Sequence, residues 1–264
     1  MDSAIYQVDA FADRRFAGNP AAVMPFDAWP GDELLQALAG ENNLAETAFF
    51  VASPAEDADY DLRWFTPKAE VDLCGHATLA SAHILFTELG FTGELVRFQT
   101  KSGILTVRRE DDRLVMDFPA RPPRPALYDE AVATALGIRP RLFVKARDLI
   151  AVYEDAADVA ALRPDMRALT RSKHFAVVAT APGDGEFDFV SRFFAPAIGV
   201  DEDPVTGSAH AELFPYWGQM QKKTEMTARQ ISARGGTVWG KLIAGGRVEI
   251  AGEAVTFFRG RAEV

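Results

Sequence analysis

The chain has 264 residues, 48% of them apolar and 25% charged, proportions that exclude a disordered or collagen-like polypeptide. A chain this long buries enough surface to fold without disulfides or metal staples, as one large domain or two of about 130 residues. Its net charge of −10 opposes phosphate binding and sets aside DNA or RNA as a partner.

The first residues lack a basic region followed by an apolar stretch, so no signal peptide is expected. No apolar run approaches the ~18 residues of a membrane span. A cytoplasmic protein with no membrane partner is therefore expected. Ile5–Phe11 and Ala21–Met24 read as strands, with a turn at Gly18-Asn19-Pro20 between them. Asp32 is placed to cap a helix running to Asn42, with Leu34, Leu35 and Leu38 on one side. Thr47–Ala52 and Tyr60–Phe65 are strand-like. Ala77–Leu89 reads as a helix apolar on nearly all sides, hence buried on all sides, and ended by Gly90. Two alternating segments, around Ile104–Val107 and Leu114–Phe118, flank a turn at Glu110–Arg113. Pro119 to Pro125 holds four prolines in seven residues, which fits neither a helix interior nor a central strand. This marks a domain boundary, giving domains 1–118 and 119–264, with a last strand able to return to the first.

The second half repeats the order of the first. Arg63-Trp64-Phe65-Thr66-Pro67 returns as Arg192-Phe193-Phe194-Ala195-Pro196, and Val71-Asp72 as Val200-Asp201, 129 residues on. Gly75-His76-Ala77-Thr78 returns as Gly207-Ser208-Ala209-His210 after a shift of three residues. Such a period is too long for a solenoid and indicates two similar domains facing each other.

Several motifs fail on inspection. Gly235–Lys241 matches GxxxxGK, but Leu242 replaces the required Ser or Thr and a hairpin follows instead of a helix. There is no GxGxxG, HExxH or GxSxG. His76 and His83 lie seven apart on one helix, with no third metal ligand evident. Cys74, the one cysteine, permits no internal disulfide and no cysteine-based zinc site.

Three segments suit chemistry on a small acid. Glu46 enters an apolar strand, either as a solvated strand-end carboxylate or as a desolvated proton carrier with a raised pKa. Gly75 and His76 start the buried helix, where free N–H groups and the positive helix end can hold a carboxylate. Asp203 lies just before a second Gly-led helix start at Gly207-Ser208, in the repeat position. Two such helix starts facing each other would make an anion-binding cleft.

The stretches Gly18–Val23, Ala45-Glu46-Thr47-Ala48-Phe49, Arg63–Pro67, Cys74-Gly75-His76-Ala77-Thr78 and Asp203–His210 resemble the signatures of the phenazine-biosynthesis PhzF-like family. They occur in the family's order across nearly the whole chain. The resemblance implies an α/β (α+β) fold of two pseudo-symmetric diaminopimelate-epimerase-like domains. Each is a curved, mostly antiparallel sheet around a central helix, with the active site in the cleft between them. It also implies a cofactor-independent isomerase, similar to trans-2,3-dihydro-3-hydroxyanthranilate isomerase, acting on a small carboxylate-bearing metabolite with neither cofactor nor metal. The catalytic residues would be Glu46, His76 and Asp203. Gly75, Gly207, Ser208 and Cys74 would bind substrate, and a homodimer is expected by analogy. Cys74 departs from the phenazine enzyme and sits where diaminopimelate epimerase has one of its two thiols. The matching position of the second repeat falls near Asp203 and holds no second cysteine. An epimerase or racemase pairing Cys74 with a carboxylate, and a small-acid binding protein without turnover, are the alternatives.

Overall fold

The computed structural model describes residues 2–264. The described chain forms two compact units: residues 2–117 with 251–264, and residues 118–250.

The first unit opens with β1 (Asp2–Ala10) and β2 (Asn19–Pro25), followed by α1 (Asp32–Asn42), β3 (Glu46–Ala52), β4 (Tyr60–Phe65) and β5 (Glu70–Val71). Next come α2 (Gly75–Thr87), β6 (Leu95–Thr100), β7 (Gly103–Glu110) and β8 (Arg113–Pro119). Strand β2 lies antiparallel to β1 and parallel to β3, and β4 lies antiparallel to β3 and parallel to β6. A hairpin of β7 and β8 turns at Asp111, whose φ of 53° is the left-handed conformation such a tight turn needs. The C-terminal strand, Ala254–Glu263, pairs antiparallel with β1. Helix α2 packs against β1, β2 and β3 and buries every residue from His76 to Ala82. Its all-round apolarity in the sequence is thus matched by burial on all sides. Among the described residues, no helix is long and apolar enough to cross a membrane.

Asp32 does not cap α1. Gly31 is the N-cap, and Asp32 is the first helical residue, its carboxylate taking a 2.8 Å hydrogen bond from Arg63 Nη1. A partner two strands away outcompetes the local cap. Helix α2 begins two residues earlier than its apolar run suggests, because Gly75 and His76 adopt helical geometry ahead of the buried stripe. Asn19 and Pro20 belong to β2, so the turn residue of that segment is Gly18.

The second unit contains β9 (Arg124–Pro125), α3 (Glu130–Leu136), β10 (Leu142–Lys145), β11 (Leu149–Val152), α4 (Ala156–Ala161), α5 (Met166–Thr170) and β12 (Val177–Pro182). It continues with β13 (Phe189–Ala195), β14 (Val200–Asp203), α6 (Gly207–Gln221), β15 (Glu225–Gln230), β16 (Gly236–Ile243) and β17 (Arg247–Gly252). Strand β12 is parallel to β11 and antiparallel to β13, and β15 is parallel to β13 and antiparallel to β16. These are the relations of β2, β3, β4, β6 and β7, in the same chain order. One fixed point of the repeat is an ion pair: Arg63 grips Glu70 through Nε and Nη2 at 2.8 and 3.0 Å. Arg192 grips Glu202 through the same atoms at 2.7 and 2.8 Å. Bidentate pairs of this kind hold a short strand, β5 or β14, against its longer neighbour. The core of this unit gathers Leu136, Phe143, Leu149, Val159, Leu169, Ala179 and Phe194.

Candidate active site

In the first unit the site begins at a glycine. Gly18 has φ +64°, and a Cβ there would lie 2.2 Å from the carbonyl oxygen of Ala10. Only glycine fits so close a crossing. The crossing delivers Asn19, fully buried, to the first position of β2. The parallel register of β2 with β3, Ala21 opposite Glu46, then brings the Glu46 carboxylate to the same end of the sheet.

The start of α2 completes the group. His76 Nε2 lies 3.1 Å from Glu46 Oε2, with side-chain exposures of 7% and 18%. Its other ring nitrogen, Nδ1, is 3.2 Å from Asn19 Nδ2 and 3.5 Å from Cys74 Sγ. Cys74 is the N-cap of α2, yet its side chain does not cap the helix. The first N–H groups of α2 have no intrahelical acceptor and carry the positive end of the helix dipole. Glu46, His76, Cys74 and Gly75 are therefore brought together, and the buried amide of Asn19 joins them. The sequence marked Asn19 only as a turn residue.

Burial pushes the Cys74 thiol up, and the Glu46 carboxylate adds to the effect. Burial opposes a charge on His76, but the Glu46 carboxylate beside it attracts the imidazolium, and the pKa is held well above its ordinary range. His83, the other histidine of α2, stands apart from this group. Its Nε2 is 3.0 Å from Thr256 Oγ1, and burial lowers its pKa to about 4. The third ligand missing from a His76–His83 pair is replaced by a different trio. Glu46, Cys74 and His76 each offer a side-chain donor atom, all within 4.8 Å of one another.

In the second unit Thr206 is the N-cap of α6, in the place of Cys74, and Gly207 and Ser208 open the helix. The residue matching Cys74 is thus three positions beyond Asp203, following the three-residue shift of the repeat. Thr206 Oγ1 donates a short hydrogen bond to Asp203 Oδ2. Gln230 ties the segment down, its Oε1 accepting from Thr206 N at 2.9 Å and its Nε2 donating to the Asp203 carbonyl at 2.7 Å. Glu202 is committed to Arg192, so the three consecutive acids do not act alike. His210 is fully buried, its Nδ1 2.8 Å from the Thr206 carbonyl, and burial lowers its pKa to about 4. Sequence reasoning missed Thr206, Gln230 and Arg147, whose Nη2 donates to Ser208 Oγ at 3.1 Å. The offset of Gly207 from Gly75 was signal enough for Thr206. Gln230 and Arg147 are remote in sequence and left none.

The two units share one topology, a mixed α/β fold, each with a helix, α2 or α6, whose N-cap side chain leaves the first turn uncapped. Hydroxyproline epimerase from Agrobacterium vitis shares this fold, with a TM-score of 0.60 at 12% identity over 98% of this chain and 92% of its own. The sequence profile described as "Phenazine biosynthesis-like protein" matches residues 8–260. An uncharacterized isomerase of Pseudomonas aeruginosa is 51% identical over 260 residues, 98% of either chain. A crystal structure of a PhzF-family phenazine biosynthesis protein from Enterococcus faecalis matches all of both chains with a TM-score of 0.96 and 42% identity. The chain belongs to the phenazine biosynthesis-like, or PhzF, family, and it is an isomerase.

Proposed function

We propose that the protein moves a proton between carbons of a small carboxylate-bearing metabolite, with Glu46 as the proton carrier. The observation that carries this reading is the Glu46 carboxylate 3.1 Å from His76 Nε2 at the open start of α2. A carboxylate takes the proton from an activated carbon, holds it, and returns it at a second carbon. His76 donates a hydrogen bond to the substrate or to Glu46 as charge moves. In the first unit the N–H groups of Gly75 and His76 suit a substrate carboxylate, and in the second the Ser208 side chain and the N–H groups of Gly207 and Ser208 do. Asp203, bound by Thr206, assists the transfer, and Cys74 contributes a small wall residue. None of these roles needs a cofactor.

The test has two parts. Mass spectrometry of acids retained by the purified protein identifies candidates, which are assayed in deuterated water beside trans-2,3-dihydro-3-hydroxyanthranilate. The wild type should place deuterium on the product carbon, unless Glu46 returns the same proton before it exchanges. Glu46→Gln should bind with near-normal affinity and lose turnover by at least about 10²–10⁴. Near-normal turnover in that variant would make Glu46 a structural strand residue. Tight binding without solvent-proton exchange in the wild type would make the protein a binding protein.

A further inference from the structure

The turn between β10 and β11 carries Arg147, and its guanidinium is held on several sides. Nε and Nη2 donate to the two oxygens of Asp148 at 2.9 and 2.8 Å, and Asp148 is fully buried. Nη2 also donates to Ser208 Oγ at 3.1 Å. The guanidinium stands 5.0 Å from the ring centroid of Phe175. A guanidinium has five N–H donors, and these contacts use three. Nη1, with its two N–H groups, has no protein partner among the described residues, and a third of the side chain is open to solvent.

The repeat makes the placement meaningful. In the first unit, Asn19 at the β1–β2 junction reaches His76, the second residue of α2. In the second unit, Arg147 at the β10–β11 junction reaches Ser208, the second residue of α6. The same junction sends a side chain to the same helix position in both copies. The first copy supplies a neutral amide and the second a fixed cation. Because Ser208 Oγ accepts from Arg147, its own O–H is left to donate.

We propose that Arg147 is the specificity residue for the acidic group of the substrate. The free Nη1 edge, the Ser208 hydroxyl and the N–H groups opening α6 grip one carboxylate together. This rests on the reading that Ser208 binds substrate. An arginine fork matches the plane of a carboxylate, and its charge survives any working pH. In a chain of net charge −10, a local cation fixed beside free N–H groups favours an acid over its neutral amide.

The experiment titrates anthranilate into the full chain and follows backbone amides by NMR, with 2-aminobenzamide as the uncharged control. Arg147→Gln alone strands the buried Asp148 charge, so it is made together with Asp148→Asn, beside Arg147→Lys. In the wild type, anthranilate should shift the Gly207 and Ser208 amides saturably, and 2-aminobenzamide should not. The double variant should bind anthranilate about ten- to a hundredfold more weakly, and Arg147→Lys should fall between. Equal affinity in wild type and double variant, or no saturable shift at Gly207 and Ser208 in the wild type, overturns the proposal. Deuterium transfer by the wild type is assayed separately from anthranilate binding. Failure of the arginine arm alongside intact deuterium transfer by Glu46 would therefore leave the isomerase reading standing.

Discussion

Cys74 is 6% exposed, and its thiol is pushed up by burial, with Glu46 facing it. A thiol kept protonated is a poor base, since only the thiolate is the reactive form. Its contacts are those of a wall residue: the sulfur touches His76 Nδ1, and its carbonyl accepts from Thr78 Oγ1 at 2.6 Å. Cys74→Ser should therefore keep turnover within about a hundredfold of wild type, the lower range of a general-base contribution. A larger loss with the fold intact, read by steady-state rates and circular dichroism together, would move the chemistry to the thiol and favour an epimerase. The second unit supplies a natural contrast, since Thr206 occupies the matching position and uses its hydroxyl to bind Asp203.

At the scale of elements, the β1–β2 connection is the point where the site depends most on backbone conformation. Gly18→Ala adds a Cβ 2.2 Å from the Ala10 carbonyl oxygen at a φ of +64°, so the chain must move. The expected cost is at least about 1–3 kcal/mol of stability. Because Asn19 follows directly, His76 should lose its Nδ1 neighbour and turnover should fall more than melting temperature alone explains. Thermal unfolding and rate measurements on the same sample separate the two, and an unchanged melting temperature would show that the crossing is not tight. The sequence displayed much of this architecture. Helix α2 was legible because burial on all sides demands apolar residues on all sides. The repeat was legible because Arg63–Pro67 and Val71-Asp72 recur 129 residues on as Arg192–Pro196 and Val200-Asp201. The cap of α1 was not, since Asp32 prefers Arg63, a partner 31 residues away that no local pattern reveals. Glu46 and His76 were visible through family resemblance and helix-start chemistry. Asn19, which reaches His76, and Arg147, which reaches Ser208, were not, because pairing across the sheet brings each to the start of its own unit's helix.

Across the whole molecule, stability against pH is governed by buried groups that titrate in opposite senses. Glu212 on α6 is fully buried, and burial together with the nearby Asp148 raises its pKa to about 7. One carboxylate oxygen accepts from the Asp148 N–H at 3.3 Å, while the other has no hydrogen-bond partner among the described residues. Folded Glu212 therefore holds a proton between about pH 4.5 and 7 that the unfolded chain has released. Its contribution to stability is greatest below that window, falls as pH rises through it, and stays low above. His83 and His210, both lowered by burial to about 4, act the other way: between about pH 4 and 6.5 the unfolded chain binds their protons and the fold does not. Stability from the histidines thus rises with pH over the range in which stability from Glu212 falls. Glu212→Gln removes the falling contribution and keeps the shape of the side chain. The variant should match the wild type near pH 5 and exceed its stability at pH 8 by on the order of 2–3 kcal/mol. Its acid limb between pH 5 and 6.5 should be steeper by close to one proton. Urea unfolding at half-unit pH steps measures both quantities. Parallel curves for the two proteins would mean that Glu212 is ionised in the fold at neutral pH, held there by Arg147 and Arg121.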